Sequence, residues 1–478
     1  MARGALWMVA MRWGLRLIGL VNILILARLL QPADFGVSVM AWLVVEFLIV
    51  LSDANVDIAL LRSPKASRAH YDTAWTITVV AGVLTTLALV AIAPIAALYY
   101  NDERVTEVIW IVSLRALIMG FENIGVVRFR AELDFAREFR YWMWRRLLMF
   151  GVGLALAVAL GDYRALALAA PASAIITVGV SFVMSSYRPR FTLVHWRELW
   201  SFSQWQILNC SARFVTQRAD EVLIGGIGSA ADIGTYYVAS DIATMPTRDV
   251  IQPIGRALTP TYARIGHSAT ELRAAFVHVL GLTAILCLAT GTGMALIAEN
   301  AVLVLLGSQW RDAASFFRLL ALCGMMEGFL LALEPLLLQN KQERLLGLVT
   351  LLHALVLVPA LVLAGNVWGI EAIAVVRLIV ITATVSTLFA VTIHQGKLSG
   401  GDVLSCLWRP TTAAAAMAGA IILWHEQAGA ALPVLLMLAD MAIGAATFFV
   451  VLLGLWMAVG RPNGPEQTLL ATVARLRR

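Results

Sequence analysis

Several ionisable residues of this chain sit inside apolar stretches, where each needs a partner, a water-filled cavity or a function. In the first stretch Arg12 and Arg16 stand one helical turn apart. The second stretch carries Glu46, Asp53 and Asp57 on one helical face, and a later set comprises Arg213, Arg218, Asp241 and Arg248. Two chemistries suit such patterns. Opposite charges at one depth neutralise each other, and a stripe of carboxylates can instead carry a coupling ion. An arginine left over can hold an anion, because its guanidinium is planar, permanently charged and matched to paired oxygens.

Depth sorts the pairs, at a rise of ~1.5 Å per helical residue. Arg12 and Asp53 fall at similar depth, as do Arg218 and Asp241, so both couples are expected to pair. Arg16 and Arg213 lie nearer the middle of their stretches with no acid opposite in their own hairpins, and Glu46 stands about a turn farther out than Arg16. For Glu46, Asp53 and Asp57 neutralisation of Arg12 and Arg16 is the preferred reading over ion coupling. Gln206, Asn209 and Gln217 flank Arg213 and suit ligand hydroxyls and helix–helix hydrogen bonds equally well. Arg248 is placed to guide an anion inward, with Asp249 or Asp241 as competing partners. Arg115, Glu122, Arg318, Glu327, Glu334, Glu371, Arg377 and Asp440 are further charges in apolar surroundings; Arg377 is poorly spaced to pair with Glu371.

The elements that must hold these residues follow from composition. The chain has 478 residues, of which 60% are hydrophobic and 14% charged, with a mean hydropathy of +0.82. A soluble domain keeps about 25% of its residues charged. Here apolar blocks of roughly 20 to 27 residues fill nearly the whole length, each able to cross a hydrocarbon core of ~30 Å. The expectation is an all-α polytopic membrane protein of about fourteen spans, the first near 5–30 and the last near 431–458, with a short re-entrant turn as one reading of 299–311. Alternate connections hold only Arg104, Arg164 and Arg311, whereas those on the other side hold about 22 basic residues. That asymmetry places both termini in the cytoplasm. Trp196, Trp200, Trp310 and Trp408 are expected as interfacial anchors.

The net charge of +6 is spread over many short loops, which argues for topology rather than for nucleic acid. Four scattered cysteines without a CxxC pair or a His/Cys cluster indicate neither a disulfide framework nor a metal site, and no cofactor is expected. The first helix has no small-residue cleavage site, so a removable signal peptide is not expected. No Gly-rich loop ends in Lys-Ser/Thr, and His425-Glu426-Gln427-Ala428-Gly429 lacks the second histidine of a zinc-protease helix, so no enzyme is expected.

An internal repeat organises the chain. Ala33-Asp34-Phe35-Gly36 closes the first short turn, and Ala231-Asp232-Ile233-Gly234 occupies the equivalent turn later. Both join helices of the same orientation, which predicts two parallel six-helix lobes at 1–200 and 201–400, with 401–478 holding two extra helices and a cytoplasmic tail. Asp34 and Asp232 read as local caps, with the glycines relieving tight turns.

These motifs carry a resemblance. Residues 27–62, 115–139, 219–265 and 306–322 resemble, in order and spacing, segments of the polysaccharide transporter (Wzx-like flippase) family of the multidrug/oligosaccharidyl-lipid/polysaccharide exporter superfamily. The resemblance implies two lobes around a central cavity and export of an undecaprenyl-diphosphate-linked oligosaccharide across the bacterial inner membrane, for exopolysaccharide or O-antigen synthesis. Membrane lipids, a polymerase, export machinery and a coupling ion, H+ or Na+, are the partners it implies. A diphosphate would suit Arg16, Arg213 and Arg248. Where the family often has a glycine, this chain has Asp53-Ala54-Asn55-Val56-Asp57. A multidrug cation exporter and a peptidoglycan-precursor flippase are the nearer alternatives; a membrane glycosyltransferase or polymerase would need a larger outer loop.

Overall fold

The computed structural model describes residues 2–52, 56–62, 67–247, 268–340, 342–396, 398–427, 432–462 and 464–468, together with 249, 251, 262 and 470. Every regular element among them is helical. The chain divides into two compact units, 1–237 and 238–478.

The first unit contains α1 (Ala2–Leu29), α2 (Pro32–Ser52), α3 (Val56–Arg62), α4 (Arg68–Tyr100), α5 (Arg104–Gly120), α6 (Val127–Ala131), α7 (Phe135–Leu160), α8 (Tyr163–Met184) and α9 (Trp196–Ile227). The unit boundary falls within α10 (Ala230–Ala243). Local chemistry sets the ends. Asp134 and Asp162 accept hydrogen bonds from the first-turn N–H groups of α7 and α8, and Asn101 and Gly161 turn left-handed where α4 and α7 stop. The packing pairs are α1 with α7, α4 with α5, α5 with α8, and α2 with both α5 and α9. By its packing, therefore, α9 belongs with the first unit, beyond the expected lobe boundary near 200.

The second unit contains α11 (Ala269–Leu296), α12 (Ala298–Leu305), α13 (Ala313–Gln339), α14 (Glu343–Trp368), α15 (Ile370–His394), α16 (Gly400–Gln427) and α17 (Pro433–Ala458). Its core is apolar and closed around Phe276, Leu280, Phe329 and Leu333. The last two helices pack on one another, and α16 also lies along α11.

Many large apolar side chains stand on the exterior. Leu98, Val183 and Val450 are 81%, 87% and 70% exposed in the middle or at the ends of long helices, which is sensible only against lipid. Among the described residues eleven helices are long and apolar enough to cross a membrane, or twelve when α5 and the helical segment after its 64° bend count as one span. The difference from fourteen has a physical cause. The 32-residue α9 is long enough but carries Arg213, Arg218, Asp220 and Glu221, and the expected span at 230–257 runs beyond the described residues after α10. Residues 299–311 form the short helix α12 and a single 3-10 turn. Trp310 is no interfacial anchor, being fully buried, whereas Trp196 is exposed.

The two repeated turns behave alike. Asp34 accepts a hydrogen bond from the Gln31 N–H at 3.0 Å, and Asp232 from the Ser229 N–H at 2.8 Å. Each thus satisfies a backbone donor at its own helix start, as a cap does. The glycines do more than relieve a turn. A Cβ on Gly36 would overlap the Ala230 carbonyl, and one on Gly234 would overlap the Pro32 carbonyl. The helix starts of the two motifs cross there backbone to backbone, and only glycine permits that approach.

Candidate functional site

A cavity of about 430 Å³ lies within the first unit, between α2, α3, α4, α5, α6 and α7. Its size falls within the ~300–1,000 Å³ of ligand pockets. The bend after α5 creates part of its wall. Gly120 lets α5 approach the Thr78 carbonyl at the break, and Asn123 then starts the next turn by accepting from the Gly125 N–H at 2.9 Å. The Asn123 amide also donates to the Tyr187 carbonyl at 2.7 Å, which fixes the bend against the segment after α8.

Three arginines and three carboxylates line this cavity, and they are not equivalently paired. Arg130 is held by Glu138 at 2.8 Å. Arg145 stands 4.0 Å from Glu122 and lies over the Trp142 ring at 4.8 Å. Glu122 also accepts a short hydrogen bond from the buried Tyr141 hydroxyl. Arg115 of α5, seven residues before Glu122 in the break that follows that helix, donates to the Ser173 hydroxyl at 3.3 Å and lies 5.7 Å over the Trp42 ring. No carboxylate among the described residues lies within ion-pair reach of it. Ser173 engages one of the five N–H donors of that guanidinium, so Arg115 presents a fixed, permanently charged fork to the cavity. Asp57 also lines the cavity, through α3.

The expected site residues are placed differently. Arg12 and Arg16 are half-buried on α1, where Arg146 of α7 crosses the helix at Gly19. Neither Arg16 nor Arg213 lines the cavity, and Arg213 is exposed, whereas its neighbour Phe214 is buried against Phe47 of α2. Gln217 is exposed. Asp53 and Arg248 lie outside the described residues, as do the side chains of Gln206 and Asn209. Arg218, expected to pair with Asp241, makes ion pairs with Glu221 at 2.9 Å and with Glu46 of α2 at 3.4 Å. Glu46 therefore serves Arg218 of α9. The depth argument ranked residues along each hairpin, whereas the pair forms between hairpins because α2 and α9 pack together. Buried Asp220, a further acid of α9, accepts a short hydrogen bond from Tyr236 of α10.

The sequence reading missed Tyr141, Trp142 and Arg145 as site residues, and left Arg115 and Glu122 without a role. For Arg115 and Glu122 a signal was present, a cation and an acid seven residues apart inside one apolar stretch.

A family model described as "Polysaccharide biosynthesis protein" matches residues 25–315, more than half of the chain and all of this cavity. The chain belongs to that family. Similar proteins include the succinoglycan biosynthesis transport protein ExoT of Rhizobium meliloti, 26% identical over 66% of this chain and 64% of that protein. The aligned region thus spans slightly less than two thirds of that relative. Another is the lipopolysaccharide biosynthesis protein WzxC of Escherichia coli, 20% identical over 74% of this chain and 72% of that protein. Among solved structures, the lipid II flippase MurJ in an inward closed conformation matches with a TM-score of 0.74 over 96% of this chain and 100% of that one, at 11% identity. An inward-facing multidrug resistance transporter of the MATE family matches with a TM-score of 0.63 over 80% of this chain, at 13% identity. The chain thus has the all-helical fold of these two transporters.

Proposed function

We propose that this protein translocates a diphosphate-linked oligosaccharide on an undecaprenyl lipid across the bacterial inner membrane, by alternating access and without chemistry on the sugar. The observation that carries this reading is the arginine-bearing cavity in the region matched by the polysaccharide biosynthesis family. A diphosphate carries about two negative charges, and a guanidinium engages its oxygens through paired N–H donors without losing its proton. Arg115 offers that fork, and Arg145 stands near it, loosely tied to Glu122. Arg16, Arg213 and Arg248 are assigned as further contacts along the route, and Gln206, Asn209 and Gln217 as partners for sugar hydroxyls. Both termini face the cytoplasm in this proposal, which puts the Arg130 and α3 end of the cavity on the side of the leaflet where the cargo is made. A polymerase and export machinery then consume the flipped unit. A coupling ion, H+ or Na+, would find its carboxylates among Asp57, Glu122 and Asp241. Export of a lipophilic cation fits less well, because a fixed unpaired arginine repels it.

The test is Arg115→Gln. The variant is expected in the membrane at near wild-type amounts while unflipped lipid-linked oligosaccharide accumulates on the inner leaflet. Arg16→Lys and Arg213→Lys, measured alongside, keep the charge and lose the fork, so each is expected to show the same defect in weaker form. Well-inserted Arg115→Gln protein with wild-type flipping would overturn the assignment of the cavity.

A further inference from the structure

The segment that follows α8 is not helical, and buried side chains of α4 hold it by its backbone. The Tyr187 hydroxyl donates to Asp72 at 2.7 Å, and the Arg190 N–H donates to the same oxygen at 3.0 Å. Farther along, the Thr192 N–H donates to Thr76 at 3.0 Å and the His195 N–H to Thr73 at 3.5 Å. The Trp196 N–H then closes on the Leu193 carbonyl at 3.2 Å. Asp72, Thr73 and Thr76 are each at least 94% buried, so this strap is part of the packed unit. The order of its partners gives the strap a shape. It runs from Asp72 to Thr76, about 6 Å along α4 toward the middle of that helix, and returns to Thr73 before α9 begins. The tip of that dip is apolar. Phe191 and Val194 are 68% and 74% exposed, and Leu193 between them is exposed as well. Non-helical backbone beside lipid is stable only where the protein satisfies its N–H groups, and α4 supplies those partners here.

The shoulders of the strap carry cations. Arg188 and Arg190 precede the tip, Arg197 follows it, and all three are exposed. Arg128 of α6 lies 4.8 Å over the Tyr187 ring and 5.0 Å over the Tyr71 ring, and Arg68 lies 5.8 Å over the Tyr187 ring. Two guanidiniums are thus fixed against one aromatic side chain at the root of the strap. No carboxylate among the described residues lies within ion-pair reach of Arg128, and Arg188 donates only to the Ser185 and Tyr187 carbonyls. Asp72, 3.8 Å from Arg68, already accepts from Tyr187 and Arg190. Glu198, at the start of α9, accepts from His70 Nε2 at 3.4 Å, because His70 Nδ1 takes the Ser67 N–H.

We infer that this strap dips its apolar tip among lipid acyl chains and seats the phosphate of an anionic phospholipid on Arg128 and Arg68. Charge complementarity selects that occupant. A guanidinium held on an aromatic ring keeps its N–H edge available for phosphate oxygens. The apolar tip between arginine shoulders repeats the layering of a bilayer edge, with chains on one side and phosphates on the other. A dip of about 6 Å falls within the ~5–10 Å to which interfacial segments bury their apolar faces. A zwitterionic headgroup offers the same phosphate but brings its own cation, so an anionic lipid is preferred. Seated there, one headgroup ties α4 and α6 to the segment that joins α8 to α9.

The experiment titrates phosphatidylglycerol, and in parallel phosphatidylcholine, into the full-length protein in non-ionic detergent and follows the unfolding temperature. Phosphatidylglycerol should raise it saturably, and phosphatidylcholine should need at least a roughly fivefold higher mole fraction for the same rise. Arg128→Gln should raise the half-saturating mole fraction of phosphatidylglycerol about fivefold, the effect of one basic residue at an anionic surface. Arg68→Gln combined with it should reach about twenty-five-fold. Arg311→Gln, which removes an exposed arginine from the second unit, should respond as wild type. Leu193 supplies a second measurement if the arginine variants fold poorly. Leu193→Cys protein, carrying a polarity-sensitive dye in vesicles of both lipids, should be quenched by doxyl groups on the acyl chains and not by aqueous iodide, after subtraction of the label taken up by the parent chain. An equal response to the two lipids, or an unchanged one in the double variant, would overturn the headgroup site. So would an equal response to inorganic phosphate or to an acidic peptide, and free quenching by iodide would overturn the dip.

Discussion

Beside closed pairs such as Arg218 with Glu221 and Arg130 with Glu138, the first unit keeps open charge in its cavity, and the second unit supplies the comparison. In the second unit three sets of charges in apolar surroundings close on one another. Glu327 of α13 meets Arg377 of α15 at 3.1 Å, and Asp440 of α17, fully buried, is held by His425 at 2.9 Å and by Asn300 at 3.1 Å. Arg409 meets the buried Glu466 at 3.2 Å. In the first unit Arg115 faces a cavity with an aromatic ring and one hydroxyl as its partners, and Arg145 stands at the limit of ion-pair distance from Glu122. A closed pair holds helices together. An open guanidinium contributes little to the fold and is available to a ligand. The contrast predicts that substitutions in the second unit act through the amount of folded protein, and those in the cavity through transport.

The largest effect should come from Arg377→Met, which strands Glu327 in apolar surroundings at a cost of about 3 kcal/mol. Membrane-inserted protein should fall sharply, and the unfolding temperature with it. Arg377→Met combined with Glu327→Gln removes both charges and should recover most of the loss, since an unpaired charge there is worse than none. A double variant as poorly inserted as the single one would show that the pair is not what holds α13 to α15.

Asp440→Asn is the intermediate case. It keeps the shape, leaves Asn300 and His425 with a neutral partner, and replaces charge-assisted hydrogen bonds by ordinary ones, a loss of about 1–2 kcal/mol. Thermal unfolding in detergent should register that loss, while flipping per inserted molecule stays at the wild-type level. A specific transport defect in stable Asp440→Asn protein would erase the distinction between the units.

How much of this was legible beforehand follows from what a one-dimensional reading can order. Apolar length gave the class and most of the helices, and repetition gave the paired turns, because both signals are local. The caps at Asp34 and Asp232 were legible for the same reason, and their bonds to Gln31 and Ser229 bear the reading out. Depth along a helix is local as well, but which way a side chain points around the helix depends on its neighbours. Arg218 was assigned a partner at equal depth within its own hairpin, whereas the structure pairs it with Glu46 because α9 packs on α2. Arg377 was read as poorly spaced for Glu371, and its ion pair with Glu327 is fixed only by the packing of α13 against α15. The glycine crossing at Gly36 and Gly234 had a sequence signal in the repeat itself, although a local turn explained it equally well until the backbones were seen to meet.

The smallest expected effect lies inside the cavity, at Tyr141. Its hydroxyl donates to Glu122, which also stands 4.0 Å from Arg145, so tyrosine and arginine share one carboxylate. Tyr141→Phe removes the neutral donor and preserves the ring that packs near Phe129. Glu122 then has more to gain from drawing Arg145 closer, which takes that guanidinium away from an anionic cargo. The net loss of one hydrogen bond is about 1 kcal/mol. Part of it should appear as a lower unfolding temperature, and part as a two- to fivefold reduction in flipping, measured as lipid-linked oligosaccharide left on the inner leaflet. Because Arg115 keeps its position over Trp42, the defect should remain milder than that of Arg115→Gln. A Tyr141→Phe defect as severe as that of Arg115→Gln would mean that Glu122, rather than the open arginine, governs the cavity, and the contrast between closed and open charge would have to be redrawn around the carboxylate.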